Sequence, residues 1–450
     1  MKFLVAQIGA RRGYAVPAIL EGAGMLERFY TDMTGDVGVT KWLARSGSQF
    51  GLNGALGRLA SRRLPESIRT RTSTFLAPSL RHTCRLAFSS ASPSGRFREH
   101  LRWSTDLGHV MIERGFGSAT HVFSMLGECG PLLVEAKRRG LAVVSEVYIL
   151  LSTERIVTAE RRSFPDWEPP QPDPNGIRKE FLDEAAFLAH TDCAICPSAA
   201  VQDDLEANFG FTRGRSAIVP YGMDPKWLEL TPRPQRGRVL FVGTAELRKG
   251  IHYLAMAAEK LRSQGCSYEF RIAGNVSSRI AGLRPCRHLT FLGRIPRHQI
   301  QEEFAVADVF VLPSLAEGSA EATYEALAAG LPVITTNAAG SVVRDGRDGC
   351  IIPERDPERL ALAIQQVVED RSLRDGMAIA ARERARDYTW ELYGKLLDQP
   401  IAEIPDMDSH SLIQFHIHVP AARHLGTVIS MLRKSRNRHD LAELAKIERL

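Results

Sequence analysis

The chain has 450 residues, 44% hydrophobic and 24% charged, with few aromatics. It is too long for one hydrophobic core, so two or three domains are expected, and no apolar run reaches the roughly 18 residues a membrane-spanning helix needs. The net charge is +6, concentrated in a run from Lys41 to Arg102 and in a tail cluster from Arg433 to His439.

The basic run holds Arg45, Arg58, Arg62, Arg63, Arg69, Arg71, Arg81, Arg85, Arg96 and Arg98, with only Glu66 and Glu99 against them. Such clusters suit an anionic bilayer surface or a phosphorylated acceptor. No zinc-finger spacing, aromatic RNP-type strand or heptad run accompanies them, so nucleic acid is not an expected partner. Seven scattered cysteines make no disulfide framework, and Cys193 and Cys196 lack the second pair a zinc site requires. A reducing cytoplasm is the expected location, with possible attachment at the inner face of the membrane.

In chain order, "KFLVAQIG" reads as a strand rather than a signal peptide. "VPAILEGAGMLERFY" has helical spacing, "ATHVFSM" is strand-like, "PLLVEAKRRG" is a helix and "LAVVSEVY" a strand. Residues 154–170, "ERIVTAERRSFPDWEPP", read as a loop on the acceptor side, with Tyr148, Glu154, Glu160 and Arg161 as candidates. "KEFLDEAAFLAH" is a helix, "CAICPS" a strand, "AAVQDDLEANFG" a helix capped by Ser198, and "SAIVPYG" a strand. The proline-rich stretch 224–238 reads as a linker. Strands and helices then alternate again from "RVLFVG" to "DPERLALAIQQVVED". The fold class expected is α/β: two doubly wound parallel-sheet domains facing across a cleft, where open parallel sheets bind ligands.

"PSLAEGSAEATYEALAAGLPVITT", residues 313–336, holds a loop and helix whose N-terminus should point into that cleft. A strand should deliver the loop, and a short helix should start near Glu321. Free N–H groups at Gly318, Ser319 and Ala320 would then meet a phosphate, which the helix dipole favours. Glu325 could accept hydrogen bonds from ribose hydroxyls, Glu317 could meet sugar hydroxyls, and Glu321 would face solvent.

Two glutamates eight positions apart, inside "PS–x–x–EG…EA–x–x–G–x–PV", resemble the nucleotide-sugar motif of the family 4 glycosyltransferases, which have the GT-B fold. "LFVGTAELRKGIHYLAMA", "RIAG", "LTFLGRIP", "IVPYGMDP" and "YTWELYG" follow in that family's order. The resemblance covers most of the second half. It implies an N-terminal acceptor-side domain (1–228), a nucleotide-sugar-binding domain (236–387), a helix returning to the first domain (388–410, with "YTWELYG" at the end of the last helix) and a basic tail (411–450).

By the same resemblance, Lys249 would reach the donor diphosphate, with Arg248 as a second cation because Thr244 stands where the family usually has arginine. Gly243 would let the backbone approach the phosphates, Arg294 would lie at the base, Glu325 at the ribose and Glu317 at the transferred sugar. Gly13 and Arg12, in "GARRGY", would lie near the phosphates or the acceptor, and His121 is a candidate catalytic histidine. The implied reaction moves a sugar from a nucleotide diphosphate sugar to an acceptor hydroxyl, sugar or lipid-linked, with retention and with neither metal nor cofactor. The resemblance places that reaction in polysaccharide or lipopolysaccharide/glycolipid assembly. The alternative is a nucleotide-sugar-binding scaffold with weak turnover.

Overall fold

The computed structural model describes residues 1–36, 62–88, 93–170 and 186–402. Two parallel sheets organise them. The first contains β1 (Phe3–Ala6), β2 (Leu26–Thr31), β3 (Thr72–Thr74), β4 (His121–Met125), β5 (Ala142–Glu146), β6 (Cys193–Cys196) and β7 (Ser216–Ile218), in the order β3-β2-β1-β4-β5-β6-β7. The second contains β8 (Arg238–Val242), β9 (Glu269–Ala273), β10 (Leu289–Gly293), β11 (Val309–Leu312), β12 (Val333–Thr336) and β13 (Gly349–Ile352), in the order β10-β9-β8-β11-β12-β13.

Parallel sheets need cover on both faces, and short continuous apolar runs supply strands that can be buried on both. "FLVA" of β1 and "VFVL" of β11 are buried throughout. The covering helices of the first half are α1 (Ala15–Gly22), α2 (Leu76–Phe88), α3 (Pro93–Arg114), α4 (Gly130–Arg138), α5 (Thr153–Ser163) and α6 (Ala199–Phe209). Those that follow β8 are α7 (Ile251–Ser263), α8 (Ser278–Ala281), α9 (Arg297–Val306), α10 (Glu321–Ala328), α11 (Pro357–Glu369), α12 (Arg371–Ala385) and α13 (Trp390–Ala402). Both sheets lie in one compact unit, Met1–Asp406.

Four expectations change. Residues 16–30 are not one helix: α1 stops at Gly22, Gly24 takes φ +68°, and β2 starts at Leu26. A left-handed glycine commonly ends a helix, and spacing over so few residues fits either period. Residues 154–170 are not a loop, since α5 occupies their first half. "YTWELYG" opens the last described helix rather than closing it. That helix, α13, does pack on the first half: a Cβ added to Gly394 would lie 3.0 Å from Ile19 of α1. Finally, Ser198 stands at the N-cap of α6, but its hydroxyl does not cap; it donates instead to Gly318 O at 2.5 Å.

The basic run is less unopposed than its sequence suggests. Arg62 pairs with Asp32 (2.7 Å), Arg69 with Asp36 (3.3 Å), Arg71 with Glu21 (2.8 Å), Arg85 with Asp106 (3.1 Å) and Arg102 with Glu99. Most of these carboxylates are distant in sequence and arrive only with the tertiary fold. Lys41, Arg45, Arg58, the tail 411–450 and its cluster Arg433 to His439 lie outside the described residues.

Candidate active site

The end of β8 is shaped by close backbone approach. Gly243 has φ +148°, and a Cβ on Gly274 would stand 2.0 Å from Gly243 O. The turn Leu247–Lys249 follows. Gly250, at φ +71°, ends it; a Cβ there would stand 2.0 Å from Pro313 O. The turn is therefore seated on the loop after β11, where Leu315 N–H donates to Arg248 O at 2.8 Å. Only glycine meets both demands, positive φ and no side chain.

This seating explains the acid at position 317. No basic residue is near Glu317 in sequence, yet two cations reach it across the fold. Arg248 Nη1 lies 2.8 Å from Glu317 Oε2, and Lys249 Nζ hydrogen-bonds Glu317 Oε1. Burial pushes the Glu317 pKa up, but the two cations and their hydrogen bonds hold it below the ordinary carboxylate value. Arg248 also donates to Ala316 O (3.0 Å) and Glu246 (2.8 Å). The Lys249 side chain lies over Gly243, whose Cβ would meet its Cδ at 3.0 Å. Gly243, Arg248, Lys249 and Glu317 thus form one cluster. Thr244 beside them is exposed.

The loop into α10 differs from expectation. The Ala320 N–H, expected free for a phosphate, donates to Ala339 O at 3.1 Å. The Ser319 hydroxyl is turned inward to Gly340 O (2.6 Å) and Tyr324 OH (2.8 Å). Gly318 is small for another reason than ligand access: a Cβ would stand 1.8 Å from Tyr148 O of the first half. Backbone from the first half already fills that space.

A cavity of about 310 Å³ opens between the two halves beside α10. Gly13, Glu321, Glu325, Arg297, Tyr324 and Trp227 are among its lining residues. Glu321 and Glu325 are one turn apart on the same helix face. Burial is the main force that lifts the Glu325 pKa to about 7; Arg297, 3.8 Å away, works against it, while Glu321 and Asp224 add to it. Glu321 is exposed, as expected, at the rim of this cavity, and lies 3.8 Å from Arg12 Nε. Arg294 is exposed after β10 and outside the lining, whereas Arg297 is part of it.

The opposite wall comes from "GARRGY". Arg12, Gly13 and Tyr14 all take positive φ, 47°, 59° and 66°. This contorted turn sends the Arg12 guanidinium to Glu146 at the carboxyl end of β5 and over the Tyr221 ring at 4.0 Å. Arg11 pairs with Glu128 at 2.5 Å and covers the Tyr148 ring. The Glu128 and Glu146 carboxylates escaped the sequence reading. The available signal was an acid just at or after a strand's carboxyl end, in "VVSE" and "FSMLGE". His121 is the clearest correction. It begins β4, paired with Phe3, so it stands at the amino end of the sheet, opposite the cleft. Its Nδ1 sits 2.7 Å from Thr120 Oγ1.

The match to known proteins agrees with this geometry. Residues 229–384 match the family model described as "Glycosyl transferases group 1". Glycogen synthase of Mycobacterium tuberculosis is 29% identical over 220 residues, 46% of this chain and 53% of that protein. D-inositol 3-phosphate glycosyltransferase of Corynebacterium urealyticum is 28% identical over 271 residues, 54% and 62% of the two chains. The chain thus spans little more than half the length of these curated relatives. Among solved structures, sucrose-phosphate synthase of Thermosynechococcus elongatus aligns with TM-score 0.63 at 19% identity, over 89% of this chain and 98% of that one. HepE of Anabaena, in complex with UDP and glucose, aligns with TM-score 0.56 at 14% identity, over 89% and 99%. Two parallel α/β sheets and these likenesses define the GT-B fold. The fold is thus GT-B over both halves, and residues 229–384 within it are similar to the group 1 glycosyltransferases.

Proposed function

We propose that this chain moves a sugar from a nucleoside diphosphate sugar to an acceptor hydroxyl, with retention, as the family 4 resemblance implies. The observation that carries this reading is the convergence of Arg248, Lys249 and Glu317 in the loops after β8 and β11; the helix that follows the second loop carries Glu325, which lines the cavity although the three cluster residues do not. Two cations paired with one buried acid form a site that a diphosphate can enter by replacing the acid. Its oxygens would take the Arg248 and Lys249 hydrogen bonds, and Glu317 would turn to the hydroxyls of the transferred sugar. As the sugar–phosphate bond loosens, charge grows on the departing diphosphate, and both cations stabilise it most in that transition state. Glu325, ionised, accepts hydrogen bonds from the ribose. HepE, the structural neighbour, is solved with UDP and glucose, which favours a uridine donor as the first to try.

A turnover assay over a panel of nucleoside diphosphate sugars tests the reading. Lys249→Ala should lower kcat by about 10²- to 10³-fold, with a smaller loss in nucleotide affinity. Full kcat in that variant would remove Lys249 from the chemistry. Binding of a nucleoside diphosphate sugar without turnover of any would favour the scaffold alternative.

The acceptor belongs to polysaccharide or glycolipid assembly, and the enzyme works at the inner face of an anionic membrane. The support for this part is α2, which exposes Leu80 and Leu86 beside Arg81 in the first half. Exposed apolar side chains next to a cation suit the headgroup boundary.

A further inference from the structure

The turn that carries Arg248 and Lys249 belongs to the second half, but much of what holds it comes from the first. Helix α5 starts anchored to the first half: Ser152 N–H and Oγ donate to Asp204 of α6 at 3.0 and 2.5 Å, and Arg155 donates to Asn208 at 2.8 Å. Its other end crosses to the second half. Glu160 accepts hydrogen bonds from His252 Nε2 (2.8 Å), Tyr253 OH (2.5 Å) and Arg355 Nε (2.9 Å). Phe164 and Trp167 pack their rings on His252, 4.6 and 5.6 Å between centroids. Glu168 then accepts the Leu247 N–H at 2.6 Å, inside the turn itself, and Arg161 Nε holds the other Glu168 oxygen at 3.0 Å.

We infer that Glu168, braced by Arg161 and by the Glu160 anchor, is a positioning residue for the diphosphate-binding turn Leu247–Lys249. The inference rests on the donor reading above. Neither Glu160 nor Glu168 bonds to Arg248 or Lys249; each acts through the backbone or the helix that follows. His252 has the chemistry of a rigid support. Burial pushes its pKa down, so it stays neutral and donates through Nε2, leaving Nδ1 buried as an acceptor without a partner. Glu160 remains the charged member of the pair. Burial opposes that charge, but three donors hold its pKa at about 2. A first-half strut therefore sets where the second half places its cations, and the spacing of the halves is coupled to the donor site.

Two readouts test this on the full chain. The first is amide hydrogen exchange without nucleotide. Glu168→Ala should speed exchange in peptides spanning the Leu247–Lys249 turn, and Glu168→Gln should restore protection, because a carboxamide oxygen still accepts the Leu247 N–H. The second is titration with UDP, GDP and ADP, and with the three nucleosides. Glu168→Ala should weaken the diphosphate about tenfold, the loss of one hydrogen bond to a charged acceptor, and leave nucleoside affinity unchanged. Glu160→Gln should act in the same direction, which guards against a folding defect peculiar to one variant. Unchanged exchange at the turn in Glu168→Ala overturns the inference, as does an equal loss for diphosphate and nucleoside. Faster exchange in a protein that binds no nucleotide leaves the positioning role standing and removes the donor reading instead.

Discussion

Glu325 is the residue whose environment makes the sharpest claim. Its pKa is lifted to about 7, mainly by burial, against an ordinary carboxylate value. Between the ordinary value and about 7 the folded chain holds a proton that the unfolded chain has released. Stability must then fall as pH rises through that window, by up to about 3 kcal/mol, the reverse of the usual carboxylate behaviour. Glu325→Gln should abolish that slope in thermal melts recorded from pH 4.5 to 8 (roughly the window bounded by the two values). Parallel curves for the two proteins would refute the shift. If Glu325 holds the ribose as proposed, it does so in the ionised form, and nucleotide affinity of the native chain should rise over the same pH range. The Glu317 carboxylate behaves oppositely, because two cations compensate its burial. Two acids one motif apart therefore differ in charge state, a difference created by Arg248 and Lys249 from 69 and 68 positions away.

At the scale of elements, the loop into α10 acts as an interface as much as a ligand cradle. Gly318 touches Tyr148 O, its carbonyl accepts the Ser198 hydroxyl, and Gly340 packs on it in turn. Gly318→Ala should force Tyr148 and the loop apart. A cost of about 1 to 3 kcal/mol is expected from overpacking, read as a lower denaturant midpoint, with a looser nucleotide site. A variant with native stability and affinity would show that the two halves part at no cost. The short glycine-bounded turn Leu247–Lys249 and helix α5 belong to the same construction. The turn carries the cations, and α5 spans from one half to the other.

For the whole molecule, the tertiary fold disposes of charge differently from the linear chain. Arg62, Arg69, Arg71 and Arg85 find Asp32, Asp36, Glu21 and Asp106, so the basic run is partly neutralised within the first half. Among the described residues, the α2 surface with Leu80, Leu86 and Arg81 is the one we propose for membrane contact. Each basic residue near an anionic bilayer contributes about 1 kcal/mol, and salt screens it. The chain should sediment with phosphatidylserine-containing vesicles at low salt and be released at high salt, and Leu80→Asp should weaken the binding. A chain that stays in the supernatant at low salt would end the membrane reading. No helix among the described residues is long and apolar enough to cross a bilayer.

The alternation of strands and helices, the parallel sheets and the place of residues 313–336 were legible in the sequence, because apolar periodicity and glycine placement are local properties. So was the position of the motif residues along the chain: Lys249, Glu317 and Glu325 each lie near a strand's carboxyl end or on the helix that follows. What the tertiary structure decided were the partners. Arg248 and Lys249 on Glu317, Glu168 on the Leu247 N–H, and Tyr148 against Gly318 all join residues far apart in the chain. His121 shows the same limit from the other side, since a strand's residue types do not reveal which end of the sheet they occupy. Burial and long-range pairing set charge states and contacts, and both depend on which surfaces the two sheets bring together.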